Sequence, residues 1–263
     1  MIVLDGMRAR YRLEGPADAP VVTLIHSLAA TLELWDAQAA ALGGRYRVLR
    51  YDVRGHGGSD APAGPWTLEQ MADDLRRLLR ELGIARSHLV GLSMGGCVAM
   101  TAALAFPGLV QSLVLADTTS RYAPHTRAMW AERIRAVERD GMEPVIEPTM
   151  EIWFTPEFRQ REPGGVDRVR GMLRGTDPRG YAWAVGAIAE VDLTARLGEI
   201  RAPTLVLVGE HDPGTPVAMA ETLGRGIPGA RLTVLPGARH CSCVEAAPAF
   251  DRALLDFLAG VAA

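Results

Sequence analysis

Residues 89–116, LVGLSMGGCVAMTAALAFPGLVQSLVLA, carry no charged side chain. About 20 apolar residues can cross a bilayer, but glycines crowd the start of this run and Pro107 interrupts it near the end. The pattern predicts a strand over 87–92, a tight turn, a helix to about Phe106 and a second strand over 110–115. Parallel strands that are buried on both faces give such continuous apolar runs. We therefore predict a buried βαβ unit and not a membrane span.

Strand and helix patterns alternate on both sides of this unit, as in a mostly parallel sheet flanked by helices. Residues 1–15 have the pattern of a β-hairpin, and an amphipathic helix is predicted from its N-cap Thr67 to Gly83, where it ends. The remaining predictions are buried strands in VVTLIHS, YRVLRYDVRG, APTLVLVGEHD and ARLTVLPGARH, a helix in LELWDAQAAAL and a closing helix over 247–258.

The alternation stops between Arg121 and about Glu190. This segment has helical patterns with no strand between them, and it contains three of the five tryptophans. We interpret it as a helical cap inserted into an α/β core. The predicted division is therefore 1–120 for the first part of the core, 121–190 for the cap and 191–263 for the second part of the core.

Composition narrows the range of partners. The net charge is −3 and every basic residue is arginine, so nothing indicates binding to nucleic acid or to an anionic membrane. The lack of lysine excludes a lysine Schiff base and a lysine general base. No signal peptide is visible, and the positions of Cys97, Cys241 and Cys243 do not suggest a disulfide framework. We expect a reduced, cytoplasmic protein that acts on a small molecule.

A nucleophile is predicted at Ser93, in the G-x-S-x-G sequence GLSMG. This motif places a serine on a sharp turn between a strand and a helix, where glycines prevent collisions. The bare pattern is weak, but here an apolar strand precedes it and an uncharged helix follows at once. The helix start also offers amide hydrogens to a developing anion. An incidental serine in a glycine-rich turn is the competing interpretation.

A nucleophilic serine needs a base, and the base needs an orienting carboxylate. Asp212 and His240 each follow a predicted core strand, so both fall at the carboxyl edge of the sheet with Ser93. Taken singly, they could be a turn residue and a surface histidine. Asp117 competes for the acid position because it also ends a core strand, and Glu210 is a weaker candidate. We favour Asp212, which matches the commoner chain order of Ser, Asp and His.

Two backbone amides are needed to stabilise an oxyanion. Met94, the residue after the nucleophile, is predicted to supply one, and Leu28 in the loop IHSLAAT the other. His26 and His56 are interpreted as organisers of loops. No spacing of histidines, cysteines and carboxylates predicts a metal site.

The loop sequence HSL, DVRGHGGSD, GLSMGG, GEHD and the late His240 resemble the α/β-hydrolase superfamily over essentially the whole chain. Within it the sequence is most similar to the 3-oxoadipate enol-lactonases of bacterial aromatic catabolism, including WDAQ and the cap segments MWAERIRAV and EIWFTPEF. It departs from them in SLAAT, where a glycine usually follows the leucine, and in HCSCVE. Asp117 stands where asparagine is expected. The resemblance implies an α/β-hydrolase fold, a mostly parallel central sheet flanked by helices, with an inserted helical cap.

The resemblance also implies acyl transfer to Ser93 without any cofactor. The implied reaction opens 3-oxoadipate enol-lactone to 3-oxoadipate. The free carboxylate of that substrate needs a cation, for which Arg133 is the candidate, with Trp130 and Trp153 as apolar walls. The alternative is that Arg133 lies on a solvated helix face and that both tryptophans belong to the core of the cap.

The sequence leaves other functions open, some enzymatic and one not. A general carboxylesterase and a cofactor-free perhydrolase are the main alternatives. Carbon–carbon bond hydrolases usually have tryptophan where Cys241 follows the histidine, and epoxide hydrolases and dehalogenases have aspartate in place of Ser93. A small-molecule receptor with a hydrolase-like pocket could retain all three residues. The sequence also leaves a homo-oligomer open, since exposed apolar positions of the cap could form a dimer face.

Overall fold

A computed structural model describes residues 1–261. Its main sheet has seven strands in the order β3-β5-β4-β6-β7-β8-β9, all parallel except for β3, which pairs antiparallel with β5. A separate pair, β1 and β2, forms a small antiparallel sheet. The strands are β1 (Ile2–Leu4), β2 (Met7–Ala9), β3 (Tyr11–Glu14), β4 (Val21–Ile25), β5 (Arg47–Tyr51), β6 (Ser87–Leu92), β7 (Val110–Ala116), β8 (Thr204–Gly209) and β9 (Arg231–Leu235).

The helices of the described residues fall into two groups. One group lies before β7 and after β8, and the other follows β7 as an unbroken series, α4 to α8. The helices are α1 (Asp36–Leu42), α2 (Leu68–Glu81), α3 (Met94–Ala105), α4 (Thr126–Asp140), α5 (Glu143–Trp153), α6 (Pro156–Arg161), α7 (Pro163–Arg174), α8 (Pro178–Ala189), α9 (Val217–Gly226), α10 (Ser242–Glu245) and α11 (Ala247–Gly260). This arrangement confirms the predicted α/β fold.

The central βαβ unit has the bounds that the apolar pattern predicts, with β6, α3 and β7 in immediate succession. Every residue of β6 is buried, and β6 pairs with β4 on one side and β7 on the other. A strand in the middle of a parallel sheet has both faces covered, which explains its uninterrupted apolar sequence. The helix predicted after Thr67 is also confirmed. The Thr67 hydroxyl accepts from the Gln70 amide in a capping box.

The predicted N-terminal hairpin is confirmed in part. β1 and β2 pair antiparallel as expected, but β3, the later part of the predicted second arm, leaves the hairpin and joins β5 in the main sheet. A second difference concerns LELWDAQAAAL, which begins as a 3₁₀ turn at Leu32–Trp35 before α1. In both cases the hydrophobic pattern continues across the point where the structure changes. That pattern does not show where a strand takes a new pairing partner, or where a 3₁₀ turn becomes an α-helix.

The series α4 to α8 occupies most of the segment between β7 and β8. Its two ends lie together, because Arg121 and Asp192 form an isolated antiparallel bridge. Among residues 1–261, no helix has the length and apolar character to span a membrane. The three cysteines are buried and free.

We expect His88→Asn to make the stability of the protein less sensitive to acid. His88 lies in β6 with its Nδ1 atom 2.8 Å from the Ser112 hydroxyl, and burial lowers the pKa of His88 from 6.5 to about 4. As the pH falls below about 6.5, the unfolded chain takes up a proton here that the folded chain does not, so the folded state loses stability. The variant should lose about 2 kcal/mol less than the wild type between pH 7 and pH 5.

Chemical denaturation of both proteins at the two pH values gives this difference in the free energy of unfolding. A third measurement at pH 8, where histidine is neutral in both states, gives the cost of the substitution itself. Equal pH dependence in the two proteins would contradict the assignment of an acid-sensitive site to His88.

Candidate active site

Ser93 occupies the turn between β6 and α3 in a strained conformation, with φ 54° and ψ −114°. Side-chain-bearing residues rarely adopt a positive φ. The flanking glycines make the turn sterically possible. A Cβ atom at Gly91 would collide with the backbone of Gly95, and one at Gly95 would collide with the Ile25 carbonyl at the end of β4. Each glycine of the G-x-S-x-G pattern thus lies where another backbone segment comes too close to leave room for a side chain.

Ser93, His240 and Asp212 form a continuous chain of hydrogen bonds. The Ser93 Oγ atom lies 2.9 Å from Nε2 of His240, and Nδ1 of His240 lies 2.8 Å from Oδ2 of Asp212. All three residues are buried. The carboxylate therefore fixes the imidazole tautomer with its proton on Nδ1, which leaves Nε2 free to accept from the serine hydroxyl.

The two charged partners in this chain shift each other's pKa values. Burial alone would raise the pKa of Asp212, but the charge and hydrogen bond of His240, together with bonds from Thr215, outweigh it and hold the pKa below its ordinary value. Burial alone would lower the pKa of His240, but the charge and hydrogen bond of Asp212 raise it above its ordinary value of 6.5. The pair is thus arranged to stabilise an imidazolium.

Asp117, the competing acid, lies apart from the imidazole nitrogens. Its carboxyl oxygens accept from the Gly209 amide and the Ser242 hydroxyl, and the residue is completely buried. Burial, reinforced by the charge of Asp212, raises the pKa of Asp117 to about 8. The geometry thus joins Asp212, and not Asp117, to His240.

Thr215 is a site residue that the sequence analysis missed. Its hydroxyl donates to Oδ2 of Asp212 at 2.6 Å and lies 3.3 Å from Nδ1 of His240. The amides of Gly214 and Thr215 both donate to Oδ1 of Asp212. The sequence DPGT did carry a signal, since aspartate commonly bonds to amides two and three residues later in a turn. These bonds orient the carboxylate before any ligand is present.

The loop after β4 brings the second predicted amide to the same place. Neither the Leu28 amide nor the Met94 amide donates a hydrogen bond to another group among the described residues. His26 holds this loop, because its Nε2 atom accepts from the Val53 amide and its Nδ1 atom donates to the Ser27 carbonyl. Ala29 adopts φ 60°, a glycine-like conformation. Alanine thus stands, in a conformation that favours glycine, at the position where the resemblance leads us to expect glycine.

A cavity of about 310 Å³ lies over Ser93. The core contributes Leu28, Ser93 and His240 to its walls, and the helices α4 and α5 contribute Trp130, Arg133 and Trp153. The structure therefore brings the three cap residues of the sequence analysis to the same cavity as the serine. Met94 does not line the cavity, and the role of its amide in stabilising an oxyanion stays a prediction.

Arg133 is the one arginine among the residues that line this cavity, which it shares with Trp130 and Trp153. Its guanidinium donates to the Thr149 hydroxyl at 2.9 Å and lies 5.7 Å from the centre of the Trp130 ring. It forms no ion pair with a carboxylate in residues 1–261. In that part of the chain, no cluster of three or more histidine, cysteine, aspartate or glutamate side chains could hold a metal ion.

Comparison with known proteins agrees with this geometry. The family model described as alpha/beta hydrolase fold matches residues 20–247. The chain is 34% identical to 3-oxoadipate enol-lactonase 2 of Acinetobacter baylyi over 244 residues, which cover 93% of this chain and 90% of that protein.

Two further similarities cover nearly the full length. The crystal structure of the enol-lactonase from Burkholderia xenovorans LB400 has a TM-score of 0.94 and 36% sequence identity, with 97% of this chain and 98% of that chain covered. The putative carbamate hydrolase RutD of Variovorax paradoxus is 34% identical over 265 residues, with 98% of each chain covered. The chain therefore belongs to the alpha/beta hydrolase family, and the protein is a hydrolase of carboxylic esters.

Proposed function

We propose that this enzyme is a serine hydrolase that opens a small lactone bearing a carboxylate, with 3-oxoadipate enol-lactone as the substrate. The observation that carries the proposal is the hydrogen-bonded chain Ser93–His240–Asp212 beside a small cavity that is also lined by Arg133, a cation without a carboxylate partner among the described residues. A volume of about 310 Å³ lies near the lower end of the range of about 300–1,000 Å³ for ligand pockets. The names of two similar proteins, both enol-lactonases, support the choice of substrate.

The first half of the reaction transfers the acyl group to Ser93. The hydroxyl attacks the lactone carbonyl while Nε2 of His240 takes its proton, and Asp212 stabilises the resulting imidazolium. The amides of Leu28 and Met94 donate to the oxygen on which negative charge develops. Both amides are free for this role in the described structure, and the start of α3 adds the positive end of its dipole.

Collapse of the tetrahedral intermediate breaks the ring C–O bond. The leaving group is an enolate, which takes up the proton held by His240 and becomes a ketone once that proton lies on carbon. The ring opens without losing a fragment, so the whole substrate stays attached to Ser93 as an ester. Water that gives its proton to His240 then attacks this ester and releases the open-chain keto acid. No cofactor is required by any of these steps.

We propose further that residues 121–190 act as a cap that selects the substrate while the core performs the chemistry. Trp130 and Trp153 would contact the apolar faces of the lactone ring, and Arg133 would bind its carboxylate. The ring of Trp153 lies 6.3 Å from that of His240, centre to centre. A side chain of the proposed cap therefore lies directly beside the proposed base.

A second candidate substrate is carbamate, which the name of one similar protein suggests. The cavity argues against it. A carbamate ion is much smaller than a lactone ring with a carboxylate arm, and it would leave most of an apolar cavity of about 310 Å³ unfilled. Binding energy that the tryptophan walls can supply would then be lost. General ester hydrolysis and ligand binding without turnover are outcomes of the first test.

In steady-state assays, we expect the wild-type enzyme to hydrolyse 3-oxoadipate enol-lactone with a kcat/KM at least about a hundredfold above that for p-nitrophenyl acetate, because only the lactone carries the anion that Arg133 would bind. Ser93→Ala should lower both rates by roughly 10³-fold or more. If only the activated ester turns over, the substrate is wrong. A single burst without further turnover would indicate a receptor, and an unchanged rate in Ser93→Ala would contradict the mechanism.

The pH dependence of kcat/KM should report His240, which must be neutral to accept the serine proton. The Asp212 carboxylate holds the pKa of His240 above 6.5. We therefore expect kcat/KM to fall as the pH is lowered through a value above 6.5, and we call this part of the pH profile the acid limb. Asp212→Asn should move this limb to lower pH and lower its plateau about 10²–10⁴-fold.

Asp117→Asn is the matched control, because it removes a neighbouring carboxyl that is bonded to Gly209 and Ser242. Its acid limb should move less than that of Asp212→Asn. A limb that moves in the Asp117 variant and stays in place in the Asp212 variant would assign the orienting acid to Asp117.

A further inference from the structure

Two buried polar atoms on residues that line the cavity have no partner in the described structure. They are the hydroxyl of Tyr181, on α8, and the indole N–H of Trp130, on α4. Tyr181 is only 2% exposed, and Trp130 only 8%. A buried donor without an acceptor costs about 1–3 kcal/mol, and a missing ligand or water is one explanation for such a group. Both atoms are covered by protein, so a ligand in the cavity reaches them only when a side chain of the wall shifts.

Arg133 is held in place by neutral groups. The Thr149 hydroxyl donates its own proton to the Val145 carbonyl at 2.6 Å, so it can only accept from the Arg133 guanidinium. The Trp130 ring packs against the guanidinium from another side. A carboxylate partner would neutralise the cation, whereas a hydroxyl and a ring orient it and leave its charge uncompensated.

Tyr181 and Arg133 line the same cavity. Burial raises the pKa of Tyr181, and the positive charge of Arg133 opposes part of that rise. The phenol is therefore protonated at neutral pH and can donate. Helix α8, which carries Tyr181, packs against α4, which carries Trp130 and Arg133.

We propose that Tyr181 is a substrate-binding residue, and that its hydroxyl and the Trp130 N–H complete, with Arg133, a composite site for the carboxylate of the lactone. In the same site Thr149 is a positioning residue that orients the guanidinium. The inference rests on the proposed function and deepens it. A carboxylate has about four lone-pair positions, which suits one charged fork and two neutral donors from different helices. An uncharged ester arm could accept from the donors but would leave the cation unpaired in an apolar cavity.

The test compares two enol lactones that differ only in the anionic group. One is 3-oxoadipate enol-lactone, and the other, α-angelica lactone, has a methyl group in place of the carboxymethyl arm. Tyr181→Phe and Thr149→Val should each raise KM for the anionic lactone, with kcat/KM falling about tenfold or more. The loss should be at least about fivefold smaller for α-angelica lactone. Thr149→Ser, which keeps the hydroxyl, should restore most of the anionic activity.

Tyr51→Phe is the matched control. Its hydroxyl is also buried and without a partner in the described residues, but Tyr51 does not line the cavity. This variant should retain the wild-type ratio of the two activities. Equal losses on both lactones in Tyr181→Phe, or the same change in Tyr51→Phe, would overturn the assignment of Tyr181. Failure of serine to rescue the Thr149→Val variant would overturn the positioning role of Thr149.

Arg133→Gln separates this inference from the proposed function on which it rests. If that variant loses the preference for the anionic lactone while Tyr181→Phe does not, the function stands and the composite site is wrong. If the wild type shows no preference for the anionic lactone, the proposed substrate itself is wrong.

Discussion

The site depends on one close approach of backbone, in which the turn at Ser93 lies directly against the end of β4. Gly95 permits this approach, because any side chain there would overlap the Ile25 carbonyl. The strained conformation of Ser93 costs of the order of 1–3 kcal/mol. The surrounding sheet holds it, since the Ser93 amide donates to the Ala116 carbonyl at 2.9 Å and the Thr118 hydroxyl donates to the Ser93 carbonyl at 2.7 Å. The same approach brings the Met94 amide beside the loop that carries Leu28.

The loop that carries His240 is bonded to the cap as well as to the core. The Cys241 amide donates to the Trp153 carbonyl at 3.0 Å, and the Arg239 side chain donates to the Glu151 carbonyl. Glu245 joins the two segments again, because its carboxylate accepts from the amides of both Thr155 and Arg239. The proposed base and the end of α5 therefore form one unit, and a change in the position of this end of the cap would move the imidazole.

The sequence allowed the most accurate predictions where the chemistry of the site and the geometry of the backbone require the same residue pattern. Ser93, Asp212 and His240 each follow a core strand, and parallel strands bring their carboxyl ends to one edge, so three residues far apart in sequence could be predicted to meet. The bounds of β6 and α3 were predictable for a related reason, because burial on both faces leaves an uncharged run. The resemblance to known lactonases supplied what periodicity could not, namely that α4 and α5 turn Arg133 and the tryptophans toward the serine.

Other parts of the site have no signature in sequence. Tyr181 and Thr149 matter through the hydrogen bonds that they lack or make, and an unpaired hydroxyl can only be recognised once its neighbours are known. The change of pairing partner between β2 and β3 escaped prediction because residues 7–14 alternate between apolar and polar without a break. Ala29 is an intermediate case, since its departure from the expected glycine was visible but its positive φ was not.

The central claim is that the ring opens on Ser93, and the mass of the covalent intermediate tests it most directly. The enzyme is mixed with 3-oxoadipate enol-lactone, quenched in acid within milliseconds and analysed as intact protein and as peptides. Because ring opening releases no fragment, we predict an added mass equal to that of the whole lactone, on the peptide that contains Ser93, and none in Ser93→Ala. Turnover without any adduct under conditions where deacylation is slowed, or an adduct on another residue, would contradict the account.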